Sequence, residues 1–300
     1  MGVRRAELAA ESGASGDVAR SGGPADEYLR GREQSENFPV ALRVLPKRLR
    51  VHLAAVYDVA RVIDDLGDQA EGDRVALLEE FGADLAAVWR GDTPRAPVLR
   101  RLAPTVRACG LSQQPFDNLV LANLQDQRVS EYQTYQDLLG YCTLSAEPIG
   151  RMVLELFGVS TPRRVELSDR ICTALQLIEH WQDVAEDRRA GRVYLPQEDL
   201  DRYHVSPADL DRPEASEEVR ALLAFEAGRA AALMNEGLPL LGELRGWARL
   251  AVTGFAAGGL AANDGLRRAK WDVMSGSPSV RRSDVLRHLI GLLMRRRVAS

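Results

Sequence analysis

Apolar residues recur at three- and four-residue steps along most of the chain, and this period constrains the fold more than any other feature. It is clearest in a set that defines one face of a helix: Leu49, Leu53, Val56, Ala60 and Ile63. Pro46 precedes the set, where the start of a helix tolerates proline. Similar periods predict helices over 73–90, 113–129, 134–157, 165–188, 216–236, 239–262 and 281–296. Because no run of alternating β-branched residues bounded by turns is present, we predict an all-α fold.

The segments without this period set the predicted boundaries. Residues 1–25 contain no Phe, Ile, Trp or Tyr, and a segment so poor in large apolar side chains is typical of a disordered tail. We therefore predict one helical domain over 26–297. The stretch 189–214 contains three prolines and many charges, so we expect a long loop with at most short helices. Loops of this length often form lids or binding elements.

Composition excludes several classes of protein. The formal net charge of −4 argues against a protein that wraps a nucleic-acid duplex. The three cysteines have neither paired nor metal-ligand spacing, so we expect a reducing compartment and no disulfide scaffold or zinc site. The longest apolar stretch, Leu250 to Ala262, has 13 residues, whereas a membrane-spanning helix needs about 20. With no apolar block for secretion near the N-terminus, we predict a cytoplasmic protein.

Two acidic pairs point to chemistry. In the first, a helix places four residues on one stripe: Tyr57, Arg61, Asp64 and Asp68. Asp64 and Asp68 lie one turn apart, and like charges at this spacing are unfavourable on a bare helix. Asp183 and Asp187 repeat the spacing on a second apolar segment. A divalent cation bound between the two carboxylates would turn this repulsion into attraction. Mg²⁺ typically binds one or two carboxylates together with substrate phosphates.

The surroundings of the second pair narrow the reaction class. Gln176, Glu179 and His180 lie on or beside its stripe, among apolar neighbours. If the two helices face each other, the acids line one cavity for Mg²⁺ and a diphosphate, and the predicted reaction is ionisation of an allylic or cyclopropylcarbinyl diphosphate. A single Asp-x-x-x-Asp is usually a solvated helix face, so the prediction depends on finding two. A di-iron bundle would need Glu-x-x-His pairs, which none of the four histidines supplies.

Several motifs together resemble the squalene/phytoene synthase family, the head-to-head trans-isoprenyl diphosphate synthases, and most closely its HpnC branch of hopanoid biosynthesis. The resemblance runs from about Glu36 to Arg282. Its first two motifs are Glu36-Asn37-Phe38-Pro39-Val40-Ala41 with Leu45-Pro46, and Tyr57 to Asp68. Asp126 and Tyr132 then lead into Tyr141-Cys142-x-x-Ser145-Ala146-x-Pro148-x-Gly150. The last motif is Trp181-Gln182-Asp183-Val184 with Asp187 and Gly191-Arg192-Val193-Tyr194-Leu195-Pro196. The Trp-Gln pair before the aspartate is a trait of the HpnC branch.

The resemblance implies an isoprenoid synthase fold, with helices around a central apolar cavity, and it assigns roles. The carboxylates that hold Mg²⁺ and the diphosphate would be Asp64, Asp68, Asp183 and Asp187. Phosphate contacts would come from Arg61 and Arg192. The reaction centre would be lined by Tyr57 and Tyr141, whose rings can stabilise a carbocation. Further substrate-binding candidates are Gln176, Glu179, Asn37 and Phe38, the last two near the mouth of the cavity.

Two positions depart from the family pattern, and the implied reaction has alternatives. Glu179 stands where the family usually has Asn, and Trp271 where relatives often have Tyr. Enzymes of the HpnC branch are taken to convert presqualene diphosphate to hydroxysqualene, so we predict a Mg²⁺ cluster and no need for NADPH. One alternative is a condensing enzyme that makes presqualene diphosphate, squalene or phytoene, against which the Trp-Gln pair argues. The other is a non-catalytic scaffold, against which the intact aspartate pairs argue.

The predicted partners follow from the same resemblance. They are an isoprenoid diphosphate substrate, either presqualene or farnesyl diphosphate, and functional coupling to the enzymes before and after it in squalene synthesis. No nucleic acid is expected. Because substrate and product are apolar, we expect peripheral contact at the inner membrane face, with the sequence Arg295-Arg296-Arg297 as a candidate for anionic lipid.

Overall fold

A computed structural model of the chain describes residues 45–294. The predicted all-α fold is confirmed: these residues contain no strand, and one isolated parallel bridge joins Glu131 and Val193. The predicted tail 1–25 and both predicted domain boundaries lie outside the described residues. The helices are α1 (Lys47–Asp68), α2 (Arg74–Leu85), α3 (Ala87–Arg90), α4 (Pro97–Cys109), α5 (Gln114–Asp126), α6 (Tyr135–Ser145), α7 (Glu147–Leu156), α8 (Pro162–Gln182), α9 (Val184–Arg189), α10 (Gln197–Arg202), α11 (Glu217–Gly237), α12 (Leu240–Glu243), α13 (Gly246–Arg268) and α14 (Arg282–Met294).

One helix, α4, was not expected from the sequence. Pro97 is its first residue. Proline is tolerated there because backbone N–H groups in the first turn have no acceptor within the helix. Pro104 lies inside it and interrupts the apolar period that identified the other helices. The helix nevertheless buries Leu99 and Leu102 completely and packs against α1, so tertiary packing outweighs the cost of the proline.

Several predicted helices are divided in the structure. The segment 134–157 breaks at Ala146 into α6 and α7, because Pro148 lacks an N–H for the preceding turn. The segment 165–188 breaks at Asp183, whose φ of −105° and ψ of 12° are not helical. The Asp187 amide still donates to the Asp183 carbonyl at 2.8 Å, so the one-turn spacing of this acidic pair survives the break. The predicted helix 73–90 is divided at Ala86, and the predicted helix 239–262 is divided around Leu244.

The long helix α8 lies at the centre of the packing and contacts α7, α11 and α13. Each of these neighbours presents a glycine to it. A Cβ at Gly150 would lie 2.4 Å from Ser168 Oγ, one at Gly237 2.8 Å from the Leu167 carbonyl oxygen, and one at Gly259 2.3 Å from Leu175 Cδ2. The glycines therefore set how closely three helices approach α8. The second acidic motif begins at the C-terminal end of α8.

The remaining features bear on how the site is bounded. The predicted loop 189–214 contains α10 and a short 3₁₀ helix, Pro207–Asp211, in line with the expectation of short helices there. The C-terminal helix α14 packs against α13. Within residues 45–294, every helix is too short or too polar to cross a membrane.

Candidate active site

The first acidic motif occupies the last turns of α1. Asp64 Oδ1 accepts a hydrogen bond from Asn123 Nδ2 on α5 at 3.2 Å. Helix α5 comes this close because Gly67 has no side chain; a Cβ there would lie 2.1 Å from Asn123 Oδ1. Solvent reaches the Asp64 carboxylate, yet protein atoms surround it densely. Burial raises its pKa to about 6, and the neighbouring charge of Asp68 adds to the rise.

The second acidic motif lies at the junction of α8 and α9. Asp183 ends α8 and accepts a hydrogen bond from the hydroxyl of Ser277, from the segment after α13. Asp187 lies one turn further on, where burial raises its pKa to about 7 and the charges of Asp183 and Glu179 contribute. His180 Nδ1 lies 3.9 Å from Asp187 Oδ2.

Arg192 connects the two motifs. Its Nη2 donates to Asp68 Oδ1 at 2.9 Å, across 124 residues of sequence. Its charge also lowers the pKa of Asp187 and of Asp126, so one guanidinium lies within electrostatic reach of both acidic segments. A single cationic group is thus shared by carboxylates from three parts of the chain.

Asp126, at the end of α5, was not assigned a role from the sequence. Its Oδ2 accepts a hydrogen bond from the Tyr141 hydroxyl at 2.7 Å, and its Oδ1 is buried without a partner among the described residues. Burial raises its pKa to about 6, while the bond to Tyr141 opposes the rise. Asp126 lies 15 residues before Tyr141, on a different helix, and this separation in the sequence does not predict that the two side chains are in contact.

Aromatic rings form a compact wall beside these acids. Tyr132, Tyr141 and Tyr194 have centroids 5.5 to 6.0 Å apart, and His180 stacks on Tyr194 at 3.7 Å. Burial lowers the pKa of His180 to about 3 and raises those of the three tyrosines, so all four rings are neutral at physiological pH. Of these four rings, the sequence predicts a role at the reaction centre only for Tyr141; the others stand in or beside its motifs without that role.

The other predicted site residues lie as follows. Tyr57 is half-buried on α1. Arg61 Nε lies 3.2 Å from Asp65 Oδ1, and its charge lowers the pKa of Asp64. Gln176 Nε2 lies 3.2 Å from His180 Nε2, and Glu179 is exposed. The remaining two candidates lie outside the described residues: Asn37 and Phe38.

The donor set fits Mg²⁺. Its groups are carboxylates, which are hard oxygen ligands. Burial raises the pKa of Asp64 and Asp187, with a neighbouring aspartate adding to the rise, and a bound cation would favour their ionised forms. Within residues 45–294, no three His, Cys, Asp or Glu side chains converge closely enough to hold an ion by themselves. An ion here would complete its coordination with water or substrate phosphate, which is the usual mode for Mg²⁺.

Comparison with known proteins places the chain among relatives of one family. The hydroxysqualene synthase of Rhodopseudomonas palustris is 33% identical over 227 residues, 74% of this chain and 76% of that protein. The presqualene diphosphate synthase of the same organism is 32% identical over 186 residues, 60% of this chain and 65% of that protein. The crystal structure of squalene synthase HpnC from Alicyclobacillus acidocaldarius superposes with a TM-score of 0.75 at 38% identity, covering 82% of this chain and 94% of that one. The family model for squalene/phytoene synthase matches residues 31–285, and the chain belongs to this family.

Proposed function

We propose that this isoprenoid synthase converts presqualene diphosphate to hydroxysqualene, with Mg²⁺ and without NADPH. The observation that carries the proposal is the convergence of two acidic motifs on Arg192, directly beside a wall of neutral aromatic rings. The acidic motifs and Arg192 would bind a diphosphate together with its metal ions, and the neighbouring aromatic rings would contact a hydrocarbon cation. The similarity to a hydroxysqualene synthase, over three quarters of the chain, supports the choice of reaction.

The residues that would hold the metal are the two aspartate pairs: Asp64, Asp68, Asp183 and Asp187. Bound Mg²⁺ would neutralise the diphosphate and so favour its departure. Arg192 and Arg61 would bind phosphate oxygens, since guanidinium groups suit bidentate contact with them. For Arg192, this means exchanging its bond to Asp68 for bonds to the substrate.

The aromatic wall would act on the hydrocarbon part of the substrate. The carbon–oxygen bond to diphosphate breaks with both electrons leaving on oxygen, and the cyclopropylcarbinyl cation rearranges. Tyr141 and Tyr194 offer π faces that stabilise this cation, and their burial keeps bulk water away from it. His180 stays neutral, so it adds no positive charge that would repel the cation.

Hydroxysqualene requires that one water molecule attack the rearranged cation and lose a proton. Asp126 is suited to accept that proton, because its pKa of about 6 leaves it ionised near neutral pH and its Oδ1 has no other bond within residues 45–294. Tyr141 holds the other carboxylate oxygen and so fixes the group. An enzyme that only condenses two farnesyl diphosphates would have no need of this water.

Turnover by the purified full chain tests the proposal. With MgCl₂ and presqualene diphosphate, we expect hydroxysqualene whether or not NADPH is present. Farnesyl diphosphate without a partner enzyme is expected to remain unconsumed. Its conversion to presqualene diphosphate or phytoene would contradict the proposal and favour a condensing enzyme, and inertness toward both substrates would favour a scaffold.

Three variants assign the roles. Asp64→Asn and Asp187→Asn should lower turnover by at least about 100-fold, because the charge that binds the ion is lost. Asp126→Asn should lower kcat more than it changes KM, since it removes a proton acceptor and no phosphate contact. Asp201→Asn, an exposed aspartate on α10, is the matched control and should behave as wild type. Unchanged turnover in Asp64→Asn would refute the metal assignment.

A further inference from the structure

The C-terminal helix α14 exposes a continuous apolar stripe. Leu286, Ile290, Leu293 and Met294 are 56%, 49%, 38% and 77% exposed, and their spacing places them along one side of the helix. The opposite side is held in the protein by Leu292, which is buried, and by Leu289, which packs against a buried apolar cluster that includes Val252 and Ala256 of α13. Helix α14 therefore has two apolar sides: one is buried in the protein, and no described residue covers the other.

Positive charge flanks the stripe. Three arginines and one acid lie between Arg281 and Met294, although the whole chain carries a net charge of −4. The acid, Asp284, is buried and bound by Arg268. Asp264 on α13 also faces α14, and it accepts a hydrogen bond from Arg287 Nη2 at 2.6 Å. The stripe therefore faces outward within a locally cationic surface.

A cleft adjoins the end of this helix. Arg249 Nη2 donates to the Leu293 carbonyl oxygen at 3.0 Å, which places the end of α14 beside the start of α13. Arg245 and Trp247, at that start, line an open cleft of about 450 Å³ together with Arg48. Trp247 is 40% exposed, and indole rings of this kind are common where protein meets the lipid–water boundary.

We propose that the stripe of α14 and the adjoining cationic cleft form the surface by which this protein docks on anionic lipid. Apolar side chains flanked by arginines match an interfacial helix, which inserts shallowly among lipids while its cations contact phosphate headgroups. A second copy of the chain fits the stripe less well, since a two-fold contact would bring two arginine-rich surfaces together. The docking is separate from the proposed reaction, and it is measured without substrate.

Vesicle sedimentation with the full chain tests the proposal. We expect binding to vesicles of phosphatidylcholine mixed with phosphatidylglycerol, weaker binding to phosphatidylcholine alone, and release at about 0.5 M NaCl. Ile290→Glu and Leu286→Glu should each lower the bound fraction about tenfold, because a carboxylate replaces an inserting side chain. Leu121→Glu is the matched control: Leu121 lies on α5 with 48% exposure, and the variant should bind as wild type.

Three results would overturn the proposal. The first is a wild-type chain that does not sediment with the anionic vesicles, which would mean that something else covers the stripe. The second is equal binding by Ile290→Glu and Leu121→Glu. The third is a wild-type dimer in light scattering that Ile290→Glu converts to a monomer, which would assign the stripe to a second copy. Turnover of detergent-dispersed presqualene diphosphate by Ile290→Glu, measured in parallel, keeps this test apart from that of the reaction.

Discussion

At the scale of single residues, carboxyl groups with a raised pKa are not confined to the candidate active site. Asp64 and Asp187 owe theirs to burial next to a second aspartate, which a cation can relieve. Glu226 on α11 is fully buried and has a pKa of about 8, because burial and a hydrogen bond with Asp199 both favour its protonated form. Its neighbour Arg229 bonds to both acids, so this cluster is already neutralised inside the protein.

Glu226 should make stability depend on pH. Between about pH 5 and pH 8 the native carboxyl keeps a proton that the unfolded chain has lost, so the free energy of unfolding falls as pH rises. Above about pH 7 Asp64 and Asp126 are ionised, and Asp187, with a pKa of about 7, contributes less than Glu226 to the change between pH 7 and pH 9. We expect Glu226→Gln to reduce the loss of stability between pH 7 and pH 9, which in the wild type approaches at most about 1.4 kcal/mol per pH unit.

Urea denaturation of both proteins at pH 7 and pH 9 measures this difference. Glu217→Gln changes an exposed residue of the same helix and should leave the wild-type pH dependence intact. If Glu226→Gln loses as much stability over this range as the wild type does, then Glu226 is ionised in the native protein and the interpretation is wrong.

The roles of the residues in the candidate site divide into those that the sequence could indicate and those that it could not. The aspartates and Tyr141 stand in motifs whose spacing has chemical meaning on one helix. Asp126, Tyr194 and the bridging role of Arg192 depend on contacts between segments far apart in the chain, such as the 124 residues from Asp68 to Arg192. Periodicity within a helix carries no information about such contacts.

At the scale of elements, the same limit explains the errors in the helix boundaries. The apolar period correctly marks where helices exist, but not where a proline or a non-helical backbone conformation divides them, as at Ala146 and Asp183. Helix α4 was missed because Pro104 disturbs its pattern, although burial of Leu99 and Leu102 keeps it folded. The sequence predicts where most helices lie along the chain. It does not predict whether tertiary packing outweighs a local preference against helix, as it does in α4.

The central helix α8 gives an element-scale prediction. Gly237→Ala should lower the free energy of unfolding by about 1–3 kcal/mol, because its Cβ meets the Leu167 carbonyl oxygen, which belongs to a rigid backbone. Gly228→Ala, on the same helix, is the control. Its Cβ meets no described atom within 4 Å, so it should raise stability by about 0.5–1 kcal/mol through helix propensity.

Thermal or urea unfolding of the two variants compares them directly. Opposite signs would show that the approach of α11 to α8 is set by a glycine and not by helix propensity. Two stabilising alanines would contradict the close approach, and with it the argument that α8 is held in place for the second acidic motif.

At the scale of the whole molecule, the net charge of −4 conceals an uneven distribution. Acids gather where α1, α5 and the junction of α8 and α9 meet Arg192, whereas three arginines and one buried acid lie between Arg281 and Met294. Without a cation, the acidic region would repel a diphosphate. Without a diphosphate, each aspartate pair offers Mg²⁺ too few ligands, since no three donors converge within residues 45–294. Binding of ion and anion should therefore be coupled.

Thermal unfolding in the presence of MgCl₂ and inorganic diphosphate tests this coupling without turnover. Each compound alone should shift Tm little, whereas both together should raise it by several degrees, because a ligand at about 100 times its Kd adds about 2.7 kcal/mol. Asp187→Asn should abolish the joint shift, and Asp201→Asn should keep it. Additive shifts from the two compounds, or a full joint shift in Asp187→Asn, would mean that diphosphate binds without the ion, and the arginines rather than the aspartates would then determine the site.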